Sequence, residues 1–435
     1  MDDRGYAKLL SVSDYRDLAE ASWTWVLGQV RYDDGPWIPA SVPAPEQTPP
    51  WDRDGMHSGI GGLALLLAEI RLTRSWTAAE SELAQAIADR VTQQIPATTD
   101  ASYFDGLVST IGTLGALDAP GIDAAVARLT ELATDDGWPR TTITGPNYAD
   151  GATVNDLTLG TAGILLGAVW AARRGVSDAH DLAVRAAEIL LAEADVHPDG
   201  LDWPFLPTRY LLQTPDVRMP NFSHGLAGIA TALALAGLDL DRPDMVDAAA
   251  RGANRLASLG DRSAGGFIVP RRIPPKEGED DITYTWCHGP TGTSMLYPAL
   301  AAAGVSTVAG EPTTAWRERC LTSVRNSGIP ARRYPGFWDN DGRCCGTAGV
   351  ADVMFDAGDI PFGLGLCDTL VERAVDGTYW RFIEHRNEQD PLLPPGVGWM
   401  QGASGIAAVL FRASRLAEDP QAPAVQRLDN FWCVA

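Results

Sequence analysis

The chain has 435 residues, 45% of them hydrophobic, and a formal net charge of −22 at neutral pH. That apolar share is ample for a large core and argues against wholesale disorder. The acidity argues against a nucleic-acid face or an anionic-membrane face, since both need clustered Lys and Arg.

In chain order, Met1-Asp2-Asp3-Arg4 leads into no apolar stretch, so no signal peptide is expected. Residues 15–27 then show apolar positions at i, i+3 and i+4, the pattern of a helix with one face on a core. A Pro- and Trp-bearing loop over 36–51 follows, and Gly59-Ile60-Gly61-Gly62 opens an almost wholly apolar helix over 63–70. The same sequence of events recurs. Amphipathic helices are expected over 78–91, 122–133, 178–194, 244–259, 314–324 and 361–375. Apolar helices open at Gly106-Leu107-Val108-Ser109, Gly160-Thr161-Ala162-Gly163, Gly225-Leu226-Ala227-Gly228, Gly289-Pro290-Thr291-Gly292, Gly346-Thr347-Ala348-Gly349 and Gly402-Ala403-Ser404-Gly405. The second opening is degenerate, with Ser109 in place of the later glycine.

A repeat of roughly 47–65 residues is the signature of stacked helical pairs. Helices apolar all round must be buried on every side. An open solenoid would leave them facing water, so the pattern predicts closure into an all-α (α/α)7 toroid of seven inner and seven outer helices. Residues 1–435 then form one domain. The uncharged stretches 219–238 and 282–310 contain Pro, Gly and hydroxyl residues, and are expected to be buried helices with no membrane span.

Long loops over 138–150, 197–220, 271–285, 332–343 and 387–399 precede the inner helices, as 36–51 does, and should crowd one rim. Seven inner N-termini would add positive potential there. The residue before each first glycine should point to that mouth: Ser58, Asp105, Leu159, His224, His288, Cys345 and Gln401. Trp203, Trp286, Trp338 and Trp399 are candidate walls for a substrate.

Cys287, Cys344 and Cys345 stand at matched helix starts, and three soft ligands with one open position suit a catalytic Zn2+. Buried unpaired cysteines are common as small apolar groups, but they have no reason to fall at equivalent repeat positions. Cys320, Cys367 and Cys433 stand alone, which fits a reducing cytoplasm. His288 is either a fourth neighbour of the metal or a hydrogen-bond partner beside it. His224 is suited to acid/base work near neutrality, with helix capping as the alternative. Asp156, four residues before Gly160, reads first as a helix cap. His57, His180, His197 and His385 have no motif context and read as surface or loop residues.

Ser223-His224-Gly225, Trp286-Cys287-His288-Gly289 and Cys344-Cys345-Gly346, set in seven glycine-paired repeats, resemble the lanthionine synthetase C family. The resemblance spans essentially the whole chain. It implies a zinc at one rim held by Cys287, Cys344 and Cys345, with His224 as the acid/base histidine and Asp156 as its aspartate. It also implies addition of cysteine thiols of a dehydrated precursor peptide to dehydroalanine or dehydrobutyrine, giving thioethers. No dehydratase segment accompanies these motifs, so a separate dehydratase protein is expected as partner. Two departures stand out: Cys344-Cys345-Gly346 replaces the more usual Cys-His-Gly, and Thr283 stands where nisin-cyclase-like members carry an arginine.

Addition of glutathione or another small thiol to dehydroamino acids is an alternative within the same chemistry. A prenyltransferase would take Asp, Cys and His at zinc, and a glycosidase would need paired carboxylates where the mouth offers only Asp105 and Asp156. A non-catalytic zinc-stabilised scaffold for a peptide would require a fourth protein ligand.

Overall fold

The computed structural model describes residues 11–44, 53–140, 143–331, 340–383 and 392–434. Trp338 and His385 lie outside the described residues. In chain order the helices are α1 (Val12–Leu27), α2 (Gly61–Thr73), α3 (Ala78–Gln94), α4 (Leu107–Leu117) and α5 (Ile122–Leu132). There follow α6 (Thr161–Arg173), α7 (Ala179–Ala192), α8 (Leu226–Asp239), α9 (Pro243–Leu259), α10 (Pro290–Thr293) and α11 (Leu296–Ala302). The last four are α12 (Thr313–Asn326), α13 (Thr347–Asp356), α14 (Ile360–Arg373) and α15 (Ala403–Glu418). Two short antiparallel hairpins, Asp195–His197 with Gly200–Asp202 and Thr307–Val308 with Glu311–Pro312, are the named strands among the described residues.

The inner ring runs α2, α4, α6, α8, α10–α11, α13, α15, each packed on the next, and α15 packs back on α2. The ring is therefore closed, and the fold is an all-α toroid. Each outer helix folds back on the inner helix before it: α5 on α4, α7 on α6, α9 on α8 and α14 on α13. The first outer helix, α1, packs on α15, so the two ends of the helical run close the circle. Trp23 of α1 also donates its indole N–H to Glu80 of α3 at 2.6 Å, tying the closing helix to the next repeat.

The two rings begin in different ways. α1 and α3 start with capping boxes, Ser11 with Asp14 and Thr77 with Glu80, which satisfy two orphan N–H groups by side chains. The inner helices start at glycine, without any side-chain cap. Their first-turn N–H groups donate instead to carbonyls seven residues back, as Leu226 does to Met219 (2.9 Å) and Thr347 to Asn340 (2.9 Å). The backbone approaches so closely that a Cβ on Gly225 would stand 1.7 Å from the Met219 carbonyl, and one on Gly349 1.8 Å from that of Arg343. The paired glycines are thus steric requirements of this loop-to-helix turn. The same geometry corrects the expectation of free helix dipoles at the rim, because loop carbonyls consume those donors.

The fifth inner helix is broken between α10 and α11. Pro298 has no N–H to give the Ser294 carbonyl, and the helix interrupts there. At the break, Trp432 of the C-terminal tail donates to the Met295 carbonyl (2.9 Å). That tail fills the centre of the ring: Leu428 and Phe431 belong to the core, and Arg427 is buried. The space remaining among Trp286, Arg343, Asp352, Met400, Arg427 and Asp429 is about 10 Å³, room for one water at most. The axis is therefore not a channel, and a ligand must come from the rim.

Candidate active site

The rim is laced by a circle of backbone hydrogen bonds between the loops that precede the inner helices. Met400 N donates to His57 O, His57 to Phe104, Tyr103 to Thr158, Thr158 to Ser223, Ser223 to Cys287, Cys287 to Cys344, and Cys344 to Met400. All but Tyr103 stand two residues before the first glycine of a repeat. The single slip falls in the degenerate repeat, where Ser109 accepts from Met56 N (2.8 Å). Two of the three candidate ligands, Cys287 and Cys344, are members of this circle, and Cys345 adjoins it.

The structure brings the three thiols together. Cys287 Sγ lies 3.3 Å from Cys345 Sγ, and Cys345 Sγ lies 3.3 Å from Cys344 Sγ. Cys287 and Cys345 are buried, Cys344 is half-buried, and none forms a disulfide. An S–S bond would need about 2.05 Å, whereas the edge of a tetrahedron of zinc-bound sulfurs is about 3.8 Å. The three sulfurs therefore suit a metal ion. Among the described residues no further His, Cys, Asp or Glu donor joins this group.

His288, next to Cys287 in sequence, is turned toward His224, with ring centroids 5.3 Å apart. Its desolvation, opposed by Cys287 and assisted by His224 and Arg271, pushes its pKa down to about 4, so it is neutral at working pH. The Arg271 charge reaches this corner from a neighbouring loop. Thr283, at the position of the missing arginine, is buried.

Beside the thiols sits a His–Asp pair. His224 Nδ1 is 2.7 Å from Asp156 Oδ2. Asp156 is fully buried, and it also accepts from Leu159 N–H (2.7 Å) and Thr158 Oγ (3.0 Å). It braces the turn before α6 and partners the histidine, but it does not cap the helix, whose N-cap is Gly160 with no side-chain bond, and this corrects the cap reading. His224 is held from behind by its own N–H to Asn221 Oδ1 (3.0 Å), and its side chain is 28% exposed, open to the rim.

Other expectations fall differently. Trp203 is buried with its indole on Leu190 O (2.7 Å), Trp286 packs edge-on against Phe104 and Phe222, and Trp399 lies under Arg343. These three are buried core residues, not substrate walls: Trp286 and Trp399 lie inside the ring of loops, and Trp203 packs between α7 and α9, at Leu190 and Gly252. His57 proves to be a member of the hydrogen-bond circle, with burial pushing its pKa down to about 4. Its place two residues before Gly59 was the signal.

No helix among the described residues is long and apolar enough to cross a membrane. The family model described as lanthionine synthetase C-like protein matches residues 50–361. No curated protein sequence matches the chain. Among solved structures, nisin cyclase is similar over 91% of this chain and 93% of its own, at 15% identity and a TM-score of 0.57. The Lin0763 protein from Listeria innocua covers 94% of this chain and 98% of its own, at 12% identity and a TM-score of 0.48. A GH76 α-mannanase from Bacteroides thetaiotaomicron covers 92% and 95%, at 12% identity and a TM-score of 0.47.

Proposed function

Because the chain belongs to the lanthionine synthetase C-like family, we propose that it is a zinc-dependent cyclase of dehydrated peptides, with residues 1–435 acting as one unit. The observation that carries this reading is the meeting of Cys287, Cys344 and Cys345 at one point of the rim, beside the His224–Asp156 pair. Cys287, Cys344 and Cys345 would hold the zinc, which when bound would lower the pKa of a substrate thiol toward neutrality.

The chain's own groups account for the rest. The substrate sulfur bonds to the β-carbon of a dehydroalanine or dehydrobutyrine, and the alkene electron pair moves toward the carbonyl as an enolate. That enolate takes a proton at Cα, and His224 is the donor placed for it. Asp156 fixes the His224 ring through Nδ1 and stabilises the imidazolium, while Thr158 and Leu159 hold the carboxylate still. His288, held neutral, adds no second positive charge beside His224. Net, one C–S bond forms and the thiol proton is replaced by one at Cα. The substrate must be dehydrated beforehand, by a separate dehydratase, and six unpaired cysteines suit work in a reducing cytoplasm.

The test is incubation of the zinc-loaded chain with a peptide carrying both cysteine and dehydroamino acids. Loss of alkylatable thiol without change of mass is the expected product, and it should persist in the presence of glutathione. Glutathione adducts in place of rings would move the reading to small-thiol addition.

A further inference from the structure

Two of the three ligand sulfurs come from adjacent residues, so any rotation of the turn at 343–345 displaces both. The backbone there is held by Arg343 N and Cys344 N, both donating to Met400 O (2.9 and 3.1 Å). On the other side the Cys344 carbonyl accepts from Cys287 N (3.3 Å), so the backbone pins the turn to the two neighbouring loops and leaves a pivot only about the line between them. What opposes the pivot is the side chain of Arg343, which is buried on the axis of the ring.

Arg343 lies 4.1 Å over the Trp399 ring and donates to Asp352 Oδ2 at 2.6 Å. Room for it depends on Gly405, where a Cβ would stand 2.7 Å from Arg343 Cδ. Asp352 belongs to α13, the helix that starts directly after the ligand turn. The same carboxylate receives Arg412 of α15 (2.8 Å) and Arg427 of the C-terminal tail (2.6 Å). The excess cations meet Asp356 at Arg412 (2.7 Å), Asp429 at Arg427 (2.9 Å), and Glu69 at Arg427 and Arg415. Four guanidiniums thus face four carboxylates in a dry centre, where every charge depends on its partner.

We propose that Arg343, Asp352 and Arg427 are positioning residues that hold the Cys344–Cys345 turn in register for metal, which makes the C-terminal tail a working part of the metal site. This rests on the zinc reading above. The tail reaches the ligand turn through charge, where Arg427 touches Asp352 and Asp352 touches Arg343, and Arg427 also lies 5.8 Å over the Trp399 ring that Arg343 covers. Partners that orient ligands from outside typically change metal affinity by about 10–100-fold when lost.

The experiment compares the full chain with Arg427→Met, Arg427→Lys and Arg343→Met. Helix content and melting are followed by circular dichroism, and zinc affinity by chelator competition. The cobalt-substituted protein reports ligand geometry by its absorption. Expected for Arg427→Met is a helical fold with zinc affinity weakened about 10–100-fold and a shifted cobalt spectrum, with Arg427→Lys recovering part of both. Parental affinity and spectrum in Arg427→Met, with only melting lowered, would overturn the proposal. Should Arg427→Met fail to fold, Arg343→Met, which leaves the tail intact, decides by the same two readings. Should the parent chain bind no zinc, the zinc reading fails by itself. Alkylation rates of Cys344 and Cys345 then decide: a rate raised about tenfold or more in Arg427→Met supports a loosened turn, and an unchanged rate overturns it.

Discussion

Replacing Asp156 by Asn tests the acid/base pair with the least disturbance of shape. The amide matches the carboxylate in volume and remains fully buried, and its oxygen can still accept from Leu159 N–H, now 2.7 Å from Oδ1. Its NH2 then faces His224 Nδ1, 2.7 Å away in the parent, and forces that nitrogen to accept. The ring is left as a neutral imidazole without a carboxylate to stabilise the imidazolium, and a neutral imidazole is a poor proton donor. The rate of thioether formation should fall on the order of 10²–10⁴-fold, about 3–5 kcal/mol of barrier. The assay is mass spectrometry of a dehydrated peptide after thiol alkylation, with zinc content measured on the same sample. His224→Asn should show a loss of the same order and scrambled stereochemistry at Cα, because water would deliver the proton from either face. An Asp156→Asn enzyme within about threefold of the parent at equal zinc content refutes the pair as the acid/base unit.

Cys287→Ala, Cys344→Ala and Cys345→Ala should each lose zinc and activity, whereas Cys320→Ala, Cys367→Ala and Cys433→Ala should keep both, as metal analysis with the cyclisation assay will show. Cys345→His should retain zinc and turn over more slowly, since imidazole is a competent but less electron-donating ligand than thiolate; a faster variant contradicts that reasoning. Glu80 supplies the pH dependence. Burial raises its carboxyl, but Arg74, the Thr77 N–H and Trp23 outweigh that and bring it down to about 2. A carboxyl depressed in the fold stabilises fully above its unfolded value of about 4.3 and loses that contribution as pH falls toward 2. Glu80→Gln should therefore lower stability by about 2 kcal/mol at pH 7, allowing for screening at partly exposed Arg74. The gap to the parent, read from urea melts, should close toward pH 2.

The seven inner helices were legible because their glycines are dictated locally: a carbonyl six residues back leaves no room for a Cβ at Gly225 or Gly349. The thiols were legible for the same reason, since matched repeat positions become neighbours once the ring closes. Asp156 was half legible: sequence places it just before the third glycine pair, but its contact with His224, in place of a helix-capping role, appears only in three dimensions. The C-terminal tail was not. Residues 419–434 have no helical periodicity, and Arg427 reads as any surface arginine until the ring surrounds it. The tryptophans were misread because a loop residue near a glycine motif can point along the rim or into it. Trp399 points inward, drawn by the Arg343 guanidinium.

The central claim is a metal held by three protein sulfurs with one position left for substrate. X-ray absorption at the zinc edge, on the purified chain with and without a cysteine-containing dehydrated peptide, tests it most directly. The account predicts one zinc per chain, with three sulfur neighbours at about 2.3 Å and one lighter neighbour, changing to four sulfurs when peptide binds. A zinc with four protein ligands that ignores the peptide, or a chain that cyclises peptide without metal, would contradict it.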